Sequence, residues 1–166
     1  MTAAGWASNV ALGPLTTYRV GGAARWLVAA HDNADLLAIA ARLQGREVLV
    51  VGKGSNLLVC DAGFDGVVVH LGDAFAGVEV DAATSSVRAG GAAFLPVVAR
   101  RSVAAGLSGF EWAVGVPGSI GGAVRMNAGG HGSEIAESLV GVRVVDLATG
   151  EDGVVPAADL DLDYRR

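Results

Sequence analysis

The sequence predicts a chain of mixed helices and strands in two parts, and three observations carry that prediction. Residues 25–51 hold an apolar strand, a capped amphipathic helix and a second apolar strand in succession. Residues 78–89 alternate apolar and polar as a hairpin does. Residues 114–130 put six glycines and a proline into a chain otherwise rich in Ala, Val and Leu.

Taken in order, residues 1–15 are weakly patterned and read as a tail. Residues 25–30 form a strand. Asp32 or Asn33 caps a helix beginning at Ala34, whose apolar face is Leu36, Leu37, Ile39, Ala40 and Leu43, and Gly45 closes it. Residues 47–51 return as a short buried strand and complete a βαβ unit. Residues 57–59 and 67–70 read as further strands. The pattern changes near residue 71, which suggests subdomains 1–70 and 71–166. After the hairpin, residues 92–105 form a helix with Phe94, Leu95, Val98 and Val103 near one face, and Pro96 fits its first turn. Residues 139–146 form a strand that turns through Ala148-Thr149-Gly150 into Val154-Val155, and residues 156–160 make a helical turn.

Composition narrows the function. The chain has 166 residues, 52% of them hydrophobic and 17% charged, so a packed core is expected rather than disorder. A net charge of −5 without a basic stripe excludes nucleic acid as a partner. Cys60 stands alone, so no internal disulfide forms. Cys60, His31, His70 and His131 lack ligand spacing, so no metal site is expected. No cation precedes Arg19, as a signal peptide would require, and no apolar run is long enough to span a membrane; a cytoplasmic protein is expected. None of these features encodes an oligomeric state.

Glycine is entropically costly, so its density between 114 and 130 needs a reason. Either the loop makes several left-handed turns, or bare amides cradle phosphate oxygens. Neither the P-loop pattern nor the dinucleotide fingerprint is present. A second loop, Gly52-Lys53-Gly54-Ser55-Asn56, follows a strand, where ligands of open α/β sheets bind, and contains the chain's single lysine. It is either an ordinary turn or a second set of phosphate donors. A charge-assisted hydrogen bond contributes roughly 1.5–3 kcal/mol. Four or so would supply most of the roughly 8–12 kcal/mol that holds a micromolar-to-nanomolar cofactor. Amides could therefore grip a diphosphate without an arginine cluster.

Five motifs occur in fixed order: Thr17-Tyr18-Arg19-Val20-Gly21-Gly22, Val51-Gly52-Lys53-Gly54-Ser55-Asn56-Leu57-Leu58, Gly115-Val116-Pro117-Gly118-Ser119-Ile120-Gly121-Gly122-Ala123, Asn127-Ala128-Gly129 and Tyr164-Arg165. Together they resemble the UDP-N-acetylenolpyruvoylglucosamine reductase family, also called UDP-N-acetylmuramate dehydrogenase. The resemblance implies an α+β, FAD-binding fold of the vanillyl-alcohol-oxidase type, with two α+β subdomains and FAD between them. It implies NADPH as electron donor, hydride transfer to the enolpyruvyl double bond of a UDP-sugar, and a place in peptidoglycan synthesis. It also implies that Gly52, Lys53, Gly54, Ser55 and Asn56, with Gly115, Val116, Pro117, Gly118, Ser119 and Ile120, line the FAD diphosphate and ribityl region. Gly121, Gly122, Asn127, Ala128 and Gly129 would support or touch the flavin. Arg165 matches the family's active-site arginine beside the enolpyruvyl carboxylate, and Tyr164 the neighbouring substrate contact. A planar, permanently charged guanidinium suits charge building on that carboxylate; by residue chemistry alone Arg165 equally reads as a solvated arginine.

The family also has a substrate region beyond these motifs, which supplies a proton-donating serine and a glutamate, and a strand that returns to the first subdomain. The chain ends at Arg166, so a truncated FAD-binding portion without the C-terminal substrate domain is expected, at best a weak FAD binder without full turnover. His131 stands where the family often has tyrosine and either contacts the site or lies on a surface loop. Two other readings remain at this level: a non-catalytic flavin-binding module, and another flavin oxidoreductase of the same fold. Tyr164-Arg165 and Asn127-Ala128-Gly129 argue against the latter.

Overall fold

Residues 5–163 are described in a computed structural model, in which they form two compact units. The first comprises the described residues up to Ala74 together with Val144–Gly153; the second comprises Phe75–Arg143 and the described residues from Val154 onward.

The first unit is built on a four-stranded sheet in the order β1-β2-β4-β3, from β1 (Ala7–Ala11), β2 (Ala23–Ala30), β3 (Val48–Val51) and β4 (Phe64–Leu71). The expected tail at residues 1–15 is therefore wrong in part. β1 is an edge strand, antiparallel to β2, with Ala7 opposite Leu27 and Ala11 opposite Ala23. Its own sequence has little alternation; Leu12, with no exposed surface, anchors the segment in the core.

Helix α1 (Asn33–Leu43) follows β2, as the capping pattern predicts. The Asp32 carboxylate accepts from the Asp35 amide at 2.8 Å, and the Asp35 carboxylate accepts from the His31 amide at 2.8 Å. The first bond satisfies a donor that the first helical turn leaves without a partner, and the second fixes the backbone just before the cap. Gln44 and Gly45, both left-handed, end the helix. Leu36, Ile39 and Leu43 are buried, whereas Leu37, expected on the apolar face, is 39% exposed. The two strands of the βαβ unit are not neighbours, because β4 lies between them and pairs in parallel with both. Val67, Val68 and Val69 of β4 are all fully buried, as a central parallel strand with both faces covered requires.

Residues 57–59, expected as a strand, are irregular. They belong to the long connection that parallel neighbours β3 and β4 need. Their apolarity has another cause: Val59 packs with Leu12, Ala24, Val51 and Val68 in the core, and Leu57 lies against that cluster.

The second unit begins with the expected hairpin, β5 (Val78–Asp81) and β6 (Ser86–Ala89), paired from Val78 opposite Ala89 to Asp81 opposite Ser86. The Asp81 carboxylate accepts from the amides of Ala83 and Thr84 and so closes the turn. Helix α2 (Leu95–Ala104) starts later than predicted, with Phe94 as N-cap and Pro96 in the first turn. Its buried face is Leu95, Val98, Ala99 and Ser102; Phe94 and Val103, expected on that face, are 40% and 49% exposed. Glu111–Gly115 is a 3₁₀ turn, and α3 (Ile120–Arg125) emerges from within the glycine loop. Trp112, Ala113, Ala123, Ile135, Leu95 and Ala99 form the core of this unit.

The short strands β7 (Gly129–Gly130) and β8 (Ser133–Glu134) pair around His131 and Gly132. Strands β9 (Gly141–Val145) and β10 (Asp152–Pro156) form a separate two-stranded ladder, followed by the 3₁₀ turn Ala157–Asp159.

Candidate functional site

The main glycine loop is fastened to its surroundings by its own backbone. Its middle lies beside the entrance of α2, where Ser119 bridges to Phe94 in antiparallel fashion. The Leu95 amide donates to the Gly118 carbonyl at 2.9 Å, and the Ile120 amide donates to Ala93 at 2.9 Å. The Gly121 amide donates to Gly91 at 2.8 Å, and a Cβ at Gly121 would lie 3.1 Å from that same carbonyl oxygen. The Val116 amide donates to Ala113 at 3.2 Å. Ser119, 3% exposed, caps α3 by accepting from Gly122 at 3.4 Å.

Several of the amides expected to face a ligand are thus engaged inside the protein: those of Val116, Ile120, Gly121, Gly122 and Ala128, the last donating to Ala123 at 2.8 Å. Pro117 has no N–H to offer. The amides of Gly118 and Ser119 donate to no acceptor among the described residues. Gly118 has a φ of 132°, a conformation that a side chain would strain. Gly115, Pro117, Gly121 and Gly122 are exposed, whereas Val116, Ile120 and Ala128 lean on the core of the unit.

Asn127 is the polar residue most deeply set in this region, 1% exposed, with a left-handed φ of 38°. Its Oδ1 accepts from the Ala136 amide at 3.0 Å, while its Nδ2 has no partner among the described residues. The neighbouring Ile135 amide donates to Ala128 at 3.0 Å. Asn127 therefore closes the base of the loop that runs through Gly129 and Gly130. Trp112, not singled out by the sequence, carries a second buried donor without a partner among the described residues, its Nε1. Its only sequence signal was an aromatic pair, and Phe110 meets it edge-on at 5.5 Å. His131 is exposed at the tip, with a φ of 56°; it lines a shallow depression with Ser133, Glu134 and Glu137.

In the first unit, the loop at residues 52–56 leaves the end of β3 as expected. Gly54 is left-handed at φ 61°, and a Cβ there would run into the Leu15 carbonyl oxygen. The Gly54 carbonyl accepts from the Thr17 amide at 3.1 Å. Packing within the unit thus explains this glycine by itself. Lys53 and Asn56 are exposed. Tyr164 and Arg165 lie outside the described residues.

The Asp81 carboxyl is held below the usual carboxylate range, first by the Thr84 side chain and then by the Thr84 and Ala83 amides. It sits at the hairpin turn, not in either glycine loop. Among the described residues, no His, Cys, Asp and Glu side chains gather as a metal-binding group, and no helix is long and apolar enough to cross a membrane.

Residues 24–152 match the FAD binding domain family. The chain belongs to that family. This FAD binding domain is 42% identical over 159 residues to UDP-N-acetylenolpyruvoylglucosamine reductase of Synechococcus sp. strain RCC307, covering 95% of this chain and 52% of that protein. It is 44% identical over 161 residues to the reductase of Acidiphilium cryptum strain JF-5, covering 95% and 50%. The crystal structure of the Thermus caldophilus reductase superposes with a TM-score of 0.82 at 33% identity, covering 98% of this chain and 56% of that one. 6-Hydroxy-D-nicotine oxidase of Arthrobacter nicotinovorans superposes at 0.60 with 16% identity, covering 82% and 31%, a likeness of fold alone. The α+β, FAD-binding fold of the vanillyl-alcohol-oxidase type is therefore the fold of this chain, and the family resemblance of its five motifs is borne out. The chain spans about half the length of the curated relatives it matches.

Proposed function

We propose that the chain is the FAD-binding portion of an NADPH-driven reductase that converts UDP-N-acetylglucosamine enolpyruvate to UDP-N-acetylmuramate during cytoplasmic peptidoglycan synthesis. The observation that carries this reading is the 42% identity, over 95% of the chain, to a relative bearing the reductase name. The residues present fit FAD. Gly118 and Ser119, both buried, have amides without acceptors among the described residues, and Gly118 sets no Cβ beside them. Such amides suit phosphate oxygens.

FAD, when bound, supplies the hydride-transfer chemistry. The amides of Gly118 and Ser119 are the proposed diphosphate donors of the second unit; Lys53, Ser55 and Asn56 are those of the first. Gly52 and Gly54 shape the latter loop. Gly115, Val116, Pro117, Ile120, Gly121 and Gly122 hold the main loop in place, and Asn127 orients Ala128 and Gly129 beside the flavin. Arg165 is proposed to pair with the substrate carboxylate and Tyr164 to contact the substrate. The two units are proposed as the two FAD-binding subdomains.

The test is spectroscopic. The purified chain should take up FAD from excess cofactor and show visible flavin absorption. Adding UDP-N-acetylglucosamine enolpyruvate should perturb those bands if this chain also carries substrate contacts. A protein that stays colourless in excess FAD overturns the proposal.

A further inference from the structure

Resting on the FAD reading, we propose that Arg19 is a phosphate-binding residue of the cofactor site, acting beside Lys53. The motif Thr17-Tyr18-Arg19-Val20-Gly21-Gly22 has no role in the assignment above, yet its geometry is tightly specified. Arg19 is left-handed at φ 56°, a conformation that crowds the Cβ of any residue but glycine. Its amide donates to the Thr16 hydroxyl at 3.1 Å, and that hydroxyl, on a side chain 5% exposed, donates in turn to the Gly13 carbonyl at 3.0 Å. A Cβ at Gly13 would lie 3.1 Å from the Arg19 carbonyl oxygen, so Gly13 lets the two strands of the turn close.

This turn is joined to the loop that carries Lys53. The Thr17 amide donates to the Gly54 carbonyl at 3.1 Å, and Gly54 is bare where it meets the Leu15 carbonyl. Arg19 and Lys53 therefore belong to two loops of the first unit that are hydrogen-bonded to each other. Both are exposed, and neither belongs to the ion pair between Arg25 and Asp65. In a chain of 17 acidic and 12 basic residues, two exposed cations on loops joined by a hydrogen bond suit an anionic ligand. Strained backbone that its surroundings over-determine is where a side chain is held for a purpose. A guanidinium matches phosphate oxygens by two parallel hydrogen bonds.

The experiment measures FAD affinity of the full chain across a salt series for the parent, Arg19→Gly, Arg19→Gln and Arg19→Lys, with thermal unfolding in parallel. Arg19→Gly removes the charge and the backbone strain together, so it should unfold at or above the parent temperature. It should nevertheless bind FAD at least about tenfold more weakly at low salt. That deficit should shrink as salt screens the parent's attraction. Arg19→Gln should behave alike, and Arg19→Lys should fall between. A folded Arg19→Gly chain with parental FAD affinity overturns this inference alone, and so does a deficit that is equal at every salt concentration. A parent chain that takes up no FAD overturns the functional proposal and this inference with it.

Discussion

Replacing Gly54 by alanine tests why the second glycine loop needs its glycine. At φ 61° an alanine meets the left-handed penalty of roughly 1–2 kcal/mol. Its Cβ would also run into the Leu15 carbonyl and come within 2.8 Å of the Thr16 Cα. Both partners are backbone, so no rotamer change relieves the overlap. The segment must move, which endangers the hydrogen bond from Thr17 to Gly54, worth about 1 kcal/mol. It also pulls on Leu12, which is fully buried nearby in the chain. Together these terms predict a loss of about 3 kcal/mol, large against the ~5–15 kcal/mol of a typical domain. Gly45→Ala is the control. It has a φ of 76° but nothing within 4 Å of the added carbon, so it should cost only the conformational part, about 1 kcal/mol. Urea unfolding followed by far-ultraviolet circular dichroism measures both. If Gly54→Ala is no less stable than Gly45→Ala, the packing explanation for Gly54 is wrong.

Three further outcomes are expected. Gly118→Asp should abolish FAD retention while preserving most of the helical circular dichroism, because it sets a carboxylate beside the amides proposed for the diphosphate; a variant that stays yellow would exclude that placement. Asn127→Ala should lower stability by about 1–3 kcal/mol in the same urea assay, since it strands the Ala136 amide and puts alanine at φ 38°; a loss no larger than that of Gly45→Ala would refute the clamp. The folded-state pKa of Asp81 lies below its ordinary 3.8, so its support of the hairpin turn is complete above that value and fades as pH falls through the lower folded pKa; the Ala83 and Thr84 amide resonances should therefore hold steady down to about pH 4 and shift only below it.

Local chemistry was legible along the chain. The cap of α1 depends on Asp32, Asp35 and their immediate neighbours, and the β5–β6 hairpin depends on alternation around a short turn, so both could be read in place. Partners distant in sequence were not legible. Nothing in residues 7–11 announces an edge strand, because β2 supplies its hydrogen bonds. Apolar residues 57–59 looked like a strand because burial of Val59 in a loop and burial in a sheet leave the same composition. The α2 face was misjudged at Phe94 because that residue is the N-cap, outside the helical period.

The glycine loop divides along the same line. The order of five short motifs was enough to place the chain in its family, because such motifs report which residue types a backbone can accept. The tertiary fold alone determined which amides are left to offer. Ile120 and Gly121 lose theirs to Ala93 and Gly91, carbonyls on a preceding segment whose approach depends on how α2 packs, while Gly118 and Ser119 keep theirs. A hydrogen-bond donor is available to a ligand only where no internal acceptor has been brought within reach, and that distance is a property of the folded chain.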